Sequence, residues 1–191
     1  PPMAVTTQRT LPPSDAIVLF DGTAESLHGQ CARHRVTWLE LSPLHGADLL
    51  AASRVEGMLP AYTAVRVGGA RVPIALRRAI ISAASPRLFV SYGTTETSLV
   101  AVADPTMHDA RETVGPPAAG VTVEVLRPDG LCAAPDEIGE IRIRGPGMAT
   151  GYVDDAAATP KHFRDGWFVP GDLASLDADG RLYLHGRKDD M

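Results

Sequence analysis

Apolar and polar positions change rhythm about halfway along the chain. Up to about Asp104, short apolar runs alternate with stretches of helical spacing. Residues 16–20 read as a buried strand, and Asp21 or Thr23 can cap the helix that follows. That helix places Ala24, Leu27 and Cys31 on one side and ends in Arg33, His34 and Arg35, where cations suit the helix dipole. Residues 36–41 form the next strand. Ser42-Pro43 then opens a helix whose apolar side is Leu44, Leu49 and Leu50. A third strand over 63–67 ends at Gly68-Gly69. A helix over 73–84 offers Ile74, Leu76, Ile80 and Ile81 to a core, and 87–92 is a fourth strand. Strands alternating with helices of this length predict βαβ units and a parallel sheet.

Beyond Asp104 the pattern becomes that of antiparallel β. Residues 104–120, rich in Pro, Gly and charge, read as a surface connection. Residues 121–126 alternate, Arg127-Pro128-Asp129-Gly130 is a turn, and 138–144 alternate again as Ile/Arg/Ile/Arg. A short helix is expected over 154–163. Residues 167–176 and 181–185 read as a hairpin closed by Asp177-Ala178-Asp179-Gly180. The expected architecture is therefore α/β: a parallel βα unit over 1–104, then a mostly antiparallel unit over 105–191.

Composition narrows the function classes. With 191 residues, 45% apolar and 21% charged, the chain has the make-up of a globular protein. A net charge of −5 gives no basic field for nucleic acid or anionic lipid. No apolar run approaches the ~20 residues of a membrane-spanning helix. The chain opens on Pro1-Pro2-Met3 without a charged-then-apolar leader, so a cytoplasmic location is expected. Cys31 and Cys132 form no CxxC pair, and neither has a base beside it in sequence, so both read as structural. His28, His34, His45, His108, His162 and His185 share no metal-ligand spacing. The 177–180 turn resembles the start of a calcium loop, but Lys188 stands at the twelfth position in place of glutamate.

Four clusters carry candidate chemistry. Ser91-Tyr92-Gly93-Thr94-Thr95-Glu96-Thr97 follows a strand, and ligands of open α/β sheets gather at strand carboxyl ends. Its hydroxyls suit phosphate oxygens, and the Tyr92 ring suits a purine face. A carboxylate beside phosphates needs a cation between them, which makes Glu96 a Mg²⁺ ligand. The same residues read equally as a polar strand-to-helix turn capped by Thr94 or Thr95. Gly68-Gly69-Ala70 either lets a flat base approach the backbone or makes a tight βα turn. Asp172, in Trp167-Phe168-Val169-Pro170-Gly171-Asp172-Leu173, either holds a turn or accepts both hydroxyls of a ribose. Gly186-Arg187-Lys188-Asp189-Asp190 taken alone is a solvated charged stretch.

Taken in order, these clusters and the Gly139–Tyr152 stretch resemble the adenylate-forming superfamily of acyl- and aryl-CoA synthetases, peptide-synthetase adenylation domains and beetle luciferases. The resemblance runs from about Ala16 to Met191. It implies that Gly68, Gly69 and Ala70 line the adenine and acyl pocket and that Tyr92 stacks on adenine. Gly93 and Thr94 would also face the nucleotide, Thr95 would touch the α-phosphate, and Glu96 would bind Mg²⁺. Asp172 and Arg187 would hold the ribose, and Asp189 would be the hinge to a small C-terminal domain. The second unit would be the family's distorted β-barrel.

ATP, Mg²⁺ and coenzyme A follow as cofactor and co-substrates, with a carboxylic acid activated as acyl-AMP. A carrier-protein thiol as acceptor, and a degenerate module that binds nucleotide without turnover, are the alternatives. The family's Ser/Thr/Gly-rich phosphate loop has no counterpart here, and its C-terminal domain would begin after Met191. The chain is thus expected to be a fragment, inactive alone. Pro170 stands where the family usually has Thr, removing a hydroxyl and an N–H donor beside Asp172.

Overall fold

The computed structural model describes residues 17–20, 26–57, 59, 62–108 and 111–190. The first sheet has the order β1 (Trp38–Leu41), β2 (Ala64–Gly68), β3 (Leu88–Thr94), β4 (Ser98–Ala103). The β1–β2 and β2–β3 pairs are parallel, with Leu41 beside Val67 and Val67 beside Val90. Helices α2 (Pro43–Glu56) and α3 (Ile74–Ala83) make the two crossovers that parallel pairing requires. Ser42 caps α2 by accepting the His45 N–H at 3.2 Å, and Pro43 needs no partner in the first turn. Leu49, Val65, Val67, Ile80, Leu88 and Val90 are all 1% exposed or less and form the core beneath this sheet. Leu44, expected on the apolar side, is 68% exposed.

Several elements differ from the sequence reading. Residues 17–20 pair with no described strand, and Ile17 and Leu19 are largely exposed. An apolar run without a hydrogen-bonded neighbour is not a strand. Asp21, Thr23 and Ala24 lie outside the described residues. The first described helix, α1 (Leu27–Arg33), is capped by Ser26, whose hydroxyl accepts the Gly29 N–H at 2.9 Å. The strand expected over 87–92 runs on to Thr94, because β4 returns antiparallel along it. That return strand was not anticipated, although Leu99–Ala103 is an apolar run at hairpin distance from Gly93-Thr94.

The second sheet is antiparallel throughout. Its order is β10 (Leu182–Arg187), β9 (Asp172–Leu176), β6 (Gly139–Arg144), β8 (Trp167–Phe168), β7 (Phe163–Arg164), with β5 (Thr122–Leu126) also on β6. Among the described strands this pairing does not close into a barrel. The stretch expected over 167–176 is two strands, broken at Pro170-Gly171, where Gly171 has φ 84°. The β9–β10 turn is as expected: Asp177 accepts the N–H groups of Asp179 and Arg181 at 3.0 and 2.8 Å. The helix expected over 154–163 contracts to α4 (Thr159–His162). Asp154 is left-handed (φ 57°), and the Asp155 carboxylate takes the Ala157 and Ala158 N–H groups into a turn.

The 104–120 connection is the largest correction. Thr113 is fully buried and Val114 is 7% exposed. The Val114 N–H donates to Leu182 O, and the Leu182 N–H donates to Gly115 O, both at 2.9 Å. Ala118 N–H reaches Val100 O at 2.8 Å, so this segment joins β4 of one sheet to β10 of the other. At Gly115 (φ 87°) a Cβ would collide with the Val102 carbonyl oxygen. Arg77, on α3 and 1% exposed, locks the segment from the other side. It donates to Val72 O at 2.9 Å, Thr113 O at 2.7 Å and Glu112 O at 2.9 Å. Glu112 in turn accepts the Ile74 N–H at 2.7 Å, supplying the cap that Pro73 cannot give α3.

Candidate functional site

The carboxyl ends of β2 and β3 lie side by side, since Gly68 pairs with Ser91. This brings Gly68-Gly69-Ala70 next to the Tyr92–Glu96 segment. A Cβ on Gly68 would strike Ser91, so the glycine is needed for strand contact before any ligand is considered. Gly69 has φ 84° and, like Ala70, is exposed. Gly93 sits at a register shift between β3 and β4, where a Cβ would collide with Ser98 O.

The polar cluster turns strand into strand, and no helix follows it. Thr94 Oγ1 accepts the Thr97 N–H at 3.2 Å and lies 3.0 Å from Thr97 Oγ1, so it closes a hairpin rather than capping a helix. Thr95 at the tip is exposed, and Glu96 is half-buried. Glu96 is gripped at both ends by the other sheet's connections. Its carbonyl accepts the Ala149 N–H at 2.7 Å, and its Oε1 accepts the Tyr152 hydroxyl at 2.8 Å. Burial pushes the Glu96 carboxyl up. The Tyr152 hydroxyl, its own backbone N–H, the Thr94 hydroxyl and the His162 charge outweigh that and hold it below the usual carboxylate range. Burial, and after it the same contact, pushes the Tyr152 phenol up to about 12.

Asp172 is the mirror case: a carboxylate of the second sheet held by a tyrosine of the first. The Tyr92 hydroxyl donates to Asp172 Oδ2 at 2.6 Å across 80 positions of sequence. Tyr92 is 8% exposed, and burial first, then Asp172, drives its phenol far above the ordinary range. Arg187 pairs with Asp172 across β9–β10, its Nη1 3.8 Å from Asp172 Oδ1. Its Nη2 donates to Pro170 O at 2.9 Å, and the Lys188 N–H donates to Gly171 O at 2.8 Å. Proline therefore costs the turn its hydroxyl and N–H, while the carbonyl that Arg187 grips remains. Asp189 lies in an exposed one-turn 3₁₀ helix, Lys188–Asp190, and no hydrogen bond or ion pair among the described residues joins it to this group.

Tyr92, Asp172 and Arg187 are thus in contact, and Glu96 is tied to the second sheet by Tyr152. Tyr152 and the Pro170 carbonyl were not singled out from sequence. Tyr152 lay inside the Gly139–Tyr152 stretch, but nothing local pairs it with a glutamate 56 positions earlier.

The donor set fits a cation bound through a ligand's phosphates. Among the described residues no group of three or more His, Cys, Asp or Glu could hold a metal alone. Glu96 is a single carboxylate with one oxygen committed to Tyr152. Mg²⁺ is commonly held this way, by one or two carboxylates with phosphate oxygens and water.

A family model described as AMP-binding enzyme matches residues 13–153. The chain is 35% identical over 132 residues to the 2-succinylbenzoate–CoA ligase of Geobacillus kaustophilus, covering 68% of this chain and 26% of that protein. It is 28% identical over 183 residues to the indoleacetate–CoA ligase of Aromatoleum aromaticum, covering 94% and 34%. Among solved structures, the Bacillus subtilis O-succinylbenzoate coenzyme A synthetase in complex with AMP superposes with a TM-score of 0.73 at 30% identity, over 84% of this chain and 33% of that one. The same enzyme in complex with ATP and magnesium ion gives 0.73 at 29% identity, over 85% and 34%. The chain therefore spans between a quarter and about a third of these relatives' length. No described helix is long and apolar enough to cross a membrane.

Proposed function

The chain belongs to the AMP-binding enzyme family, and from that premise we propose that it is the part of an ATP-dependent carboxylate–CoA ligase that holds AMP's ribose and the phosphate-bound cation. The observation that carries this reading is the reciprocal exchange at the junction. Each sheet lends the other a tyrosine hydroxyl, and each keeps a carboxylate facing the same seam.

In this reading the substrate carboxylate attacks the α-phosphorus of ATP, the bond to pyrophosphate breaks, and acyl-AMP forms. A thiol, that of coenzyme A, then attacks the acyl carbon and AMP leaves. Thr95, exposed at the hairpin tip, donates its hydroxyl to an α-phosphate oxygen. Gly68, Gly69, Ala70, Gly93 and Thr94 border the base and phosphates, and the Tyr92 ring lies beside the base. Asp172 accepts the ribose hydroxyls, with Arg187 fixing the 170–172 turn around it. Glu96 would hold the magnesium ion, whose charge would neutralise that of the phosphates when it is bound. Asp189 is the hinge to a further C-terminal domain. Arg187's grip on the Pro170 carbonyl supports retained function in spite of the missing threonine.

Carboxylate-dependent ATP–pyrophosphate exchange in the full-length protein tests the reading. Exchange stimulated by a carboxylic acid is expected, and coenzyme A should then drain the adenylate to a thioester. Transfer to a carrier-protein thiol instead would move the enzyme to the peptide-synthetase branch. Silence across fatty, aryl and amino acids in a folded protein would leave a module that binds nucleotide without turnover.

A further inference from the structure

Tyr152 is placed with more constraint than a surface tyrosine needs. Its backbone N–H donates to Thr159 Oγ1 at 2.9 Å, and Thr159 Oγ1 donates to Asp155 O at 2.9 Å. Gly151 beside it has no room for a side chain, since a Cβ would lie 2.7 Å from Thr159 Cγ2. The ring is met edge-on by Phe163, centroids 5.3 Å apart, and by His162 at 5.9 Å. His162 is itself fixed, its Nδ1 2.8 Å from Val169 O. The result is a rigid phenol whose hydroxyl ends on Glu96 Oε1, while the Ala149 N–H, three residues before it, holds the Glu96 main chain.

Resting on the nucleotide reading above, we propose that Tyr152 is a positioning residue that limits Glu96 to one-oxygen coordination, and thereby favours Mg²⁺ over Ca²⁺ at this site. A carboxylate with both oxygens free can close on a cation in a chelating, two-oxygen mode. That narrow bite suits the seven or eight ligands of Ca²⁺ and strains the near-octahedral shell of Mg²⁺. A hydroxyl donating to Oε1 takes one of the lone pairs on the oxygen that chelation needs and holds the carboxylate in one orientation. The selectivity lies in a neighbour of the ligand rather than in the ligand itself, as hydrogen bonds to metal-bound carboxylates commonly act.

The test is equilibrium ATP binding to the full-length protein without acid substrate, with Mg²⁺ or Ca²⁺ as the sole divalent cation. Tyr152→Phe keeps the ring between Phe163 and His162 and removes the hydroxyl alone. The ratio of Mg²⁺- to Ca²⁺-supported affinity should fall about tenfold. In a Glu96→Gln background the same change should leave the ratio where Glu96→Gln put it. A ratio held within about twofold in Tyr152→Phe, with ATP still bound, overturns the inference and leaves the nucleotide reading standing. So does an equal fall in the Glu96→Gln background. A wild-type protein that binds no ATP with either cation overturns both.

If Tyr152→Phe does not fold, the wild-type carboxylate bands answer directly. The infrared difference between wild type and Glu96→Gln with Mg·ATP should show the wide splitting of a one-oxygen carboxylate. The narrow splitting of a chelate overturns the inference.

Discussion

At Arg77 the two sheets meet through one buried cation that donates to three main-chain carbonyls; at Glu96 and Asp172 they meet through carboxylates, each of which accepts a phenol from across the junction. Around Arg77 the polar groups are satisfied within the protein. Three carbonyls take its N–H groups, Glu112 takes the Ile74 N–H, and Thr113 Oγ1 donates to Leu182 O. Such a seam has nothing to offer a ligand and can only hold the fold. At the other seam the tyrosine bond uses one oxygen of each carboxylate and fixes its direction. Among the described residues no Lys or Arg comes closer to either carboxylate than the 3.8 Å of Arg187 from Asp172. A half-buried carboxylate with no close cation keeps acceptor capacity that water or a ligand can take up.

The comparison breaks most sharply at Arg77. Arg77→Ala strands the carbonyls of Val72, Glu112 and Thr113 in a buried seam and should cost about 3 kcal/mol or more of stability. The readout is a lower urea midpoint at unchanged slope. Arg77→Lys should recover only part, because an ammonium lacks the planar fork that reaches carbonyls in three directions. A loss below about 1 kcal/mol would mean that water replaces the guanidinium and that the seam is less closed than it looks.

Glu96→Gln should do the reverse, leaving stability within about 0.5 kcal/mol because the Gln carbonyl still accepts the Tyr152 hydroxyl. Pyrophosphate exchange should fall roughly a hundredfold, the scale on which transition-state stabilisers are lost. An unchanged exchange rate at saturating Mg²⁺ would remove Glu96 from the cation's ligands.

What was legible from sequence follows the same division. Periodicity and end signals gave β1 to β3, α2 and α3, because each is written in neighbouring residues: Ser42-Pro43 opens a helix and Gly68-Gly69 ends a strand wherever they occur. The motif order names Gly68, Tyr92, Glu96, Asp172 and Arg187 as candidates, and the fold brings Tyr92, Asp172 and Arg187 into contact. The contacts between regions were not legible. Residues 112–115 look like loop by composition, yet Thr113 is fully buried, because the partner that closes over them is Leu182. Arg77, inside the expected 73–84 helix, carries no local sign of its burial for the same reason. Tyr152 is part of a motif, but its meaning depends on Glu96 arriving from the other sheet.

The smallest effect separates charge from shape within the closed seam. The Ile74 N–H holds the Glu112 carboxyl below the usual range; burial opposes this, and the Arg71 guanidinium and the charge of Arg77 reinforce it. A carboxyl whose folded value lies below its unfolded one contributes its full stability above about pH 4.5, and that contribution is lost as pH falls through the folded value. Arg71 is 80% exposed on its side chain, so its ion pair contributes little, and the negative charge at the start of α3 is what matters. Glu112→Gln keeps an acceptor for Ile74 and the same left-handed backbone (φ 61°), so it removes charge alone. The variant should be about 0.5–1 kcal/mol less stable at neutral pH, by urea denaturation. The gap should close as pH falls through the lowered folded value of the wild-type carboxyl, where Glu112 itself becomes neutral. A gap that persists unchanged into acid would show that the carboxylate's shape, rather than its charge, caps α3. The closed seam would then be held by geometry alone, and charge at this junction would belong to Arg77 and to the open seam of Glu96 and Asp172.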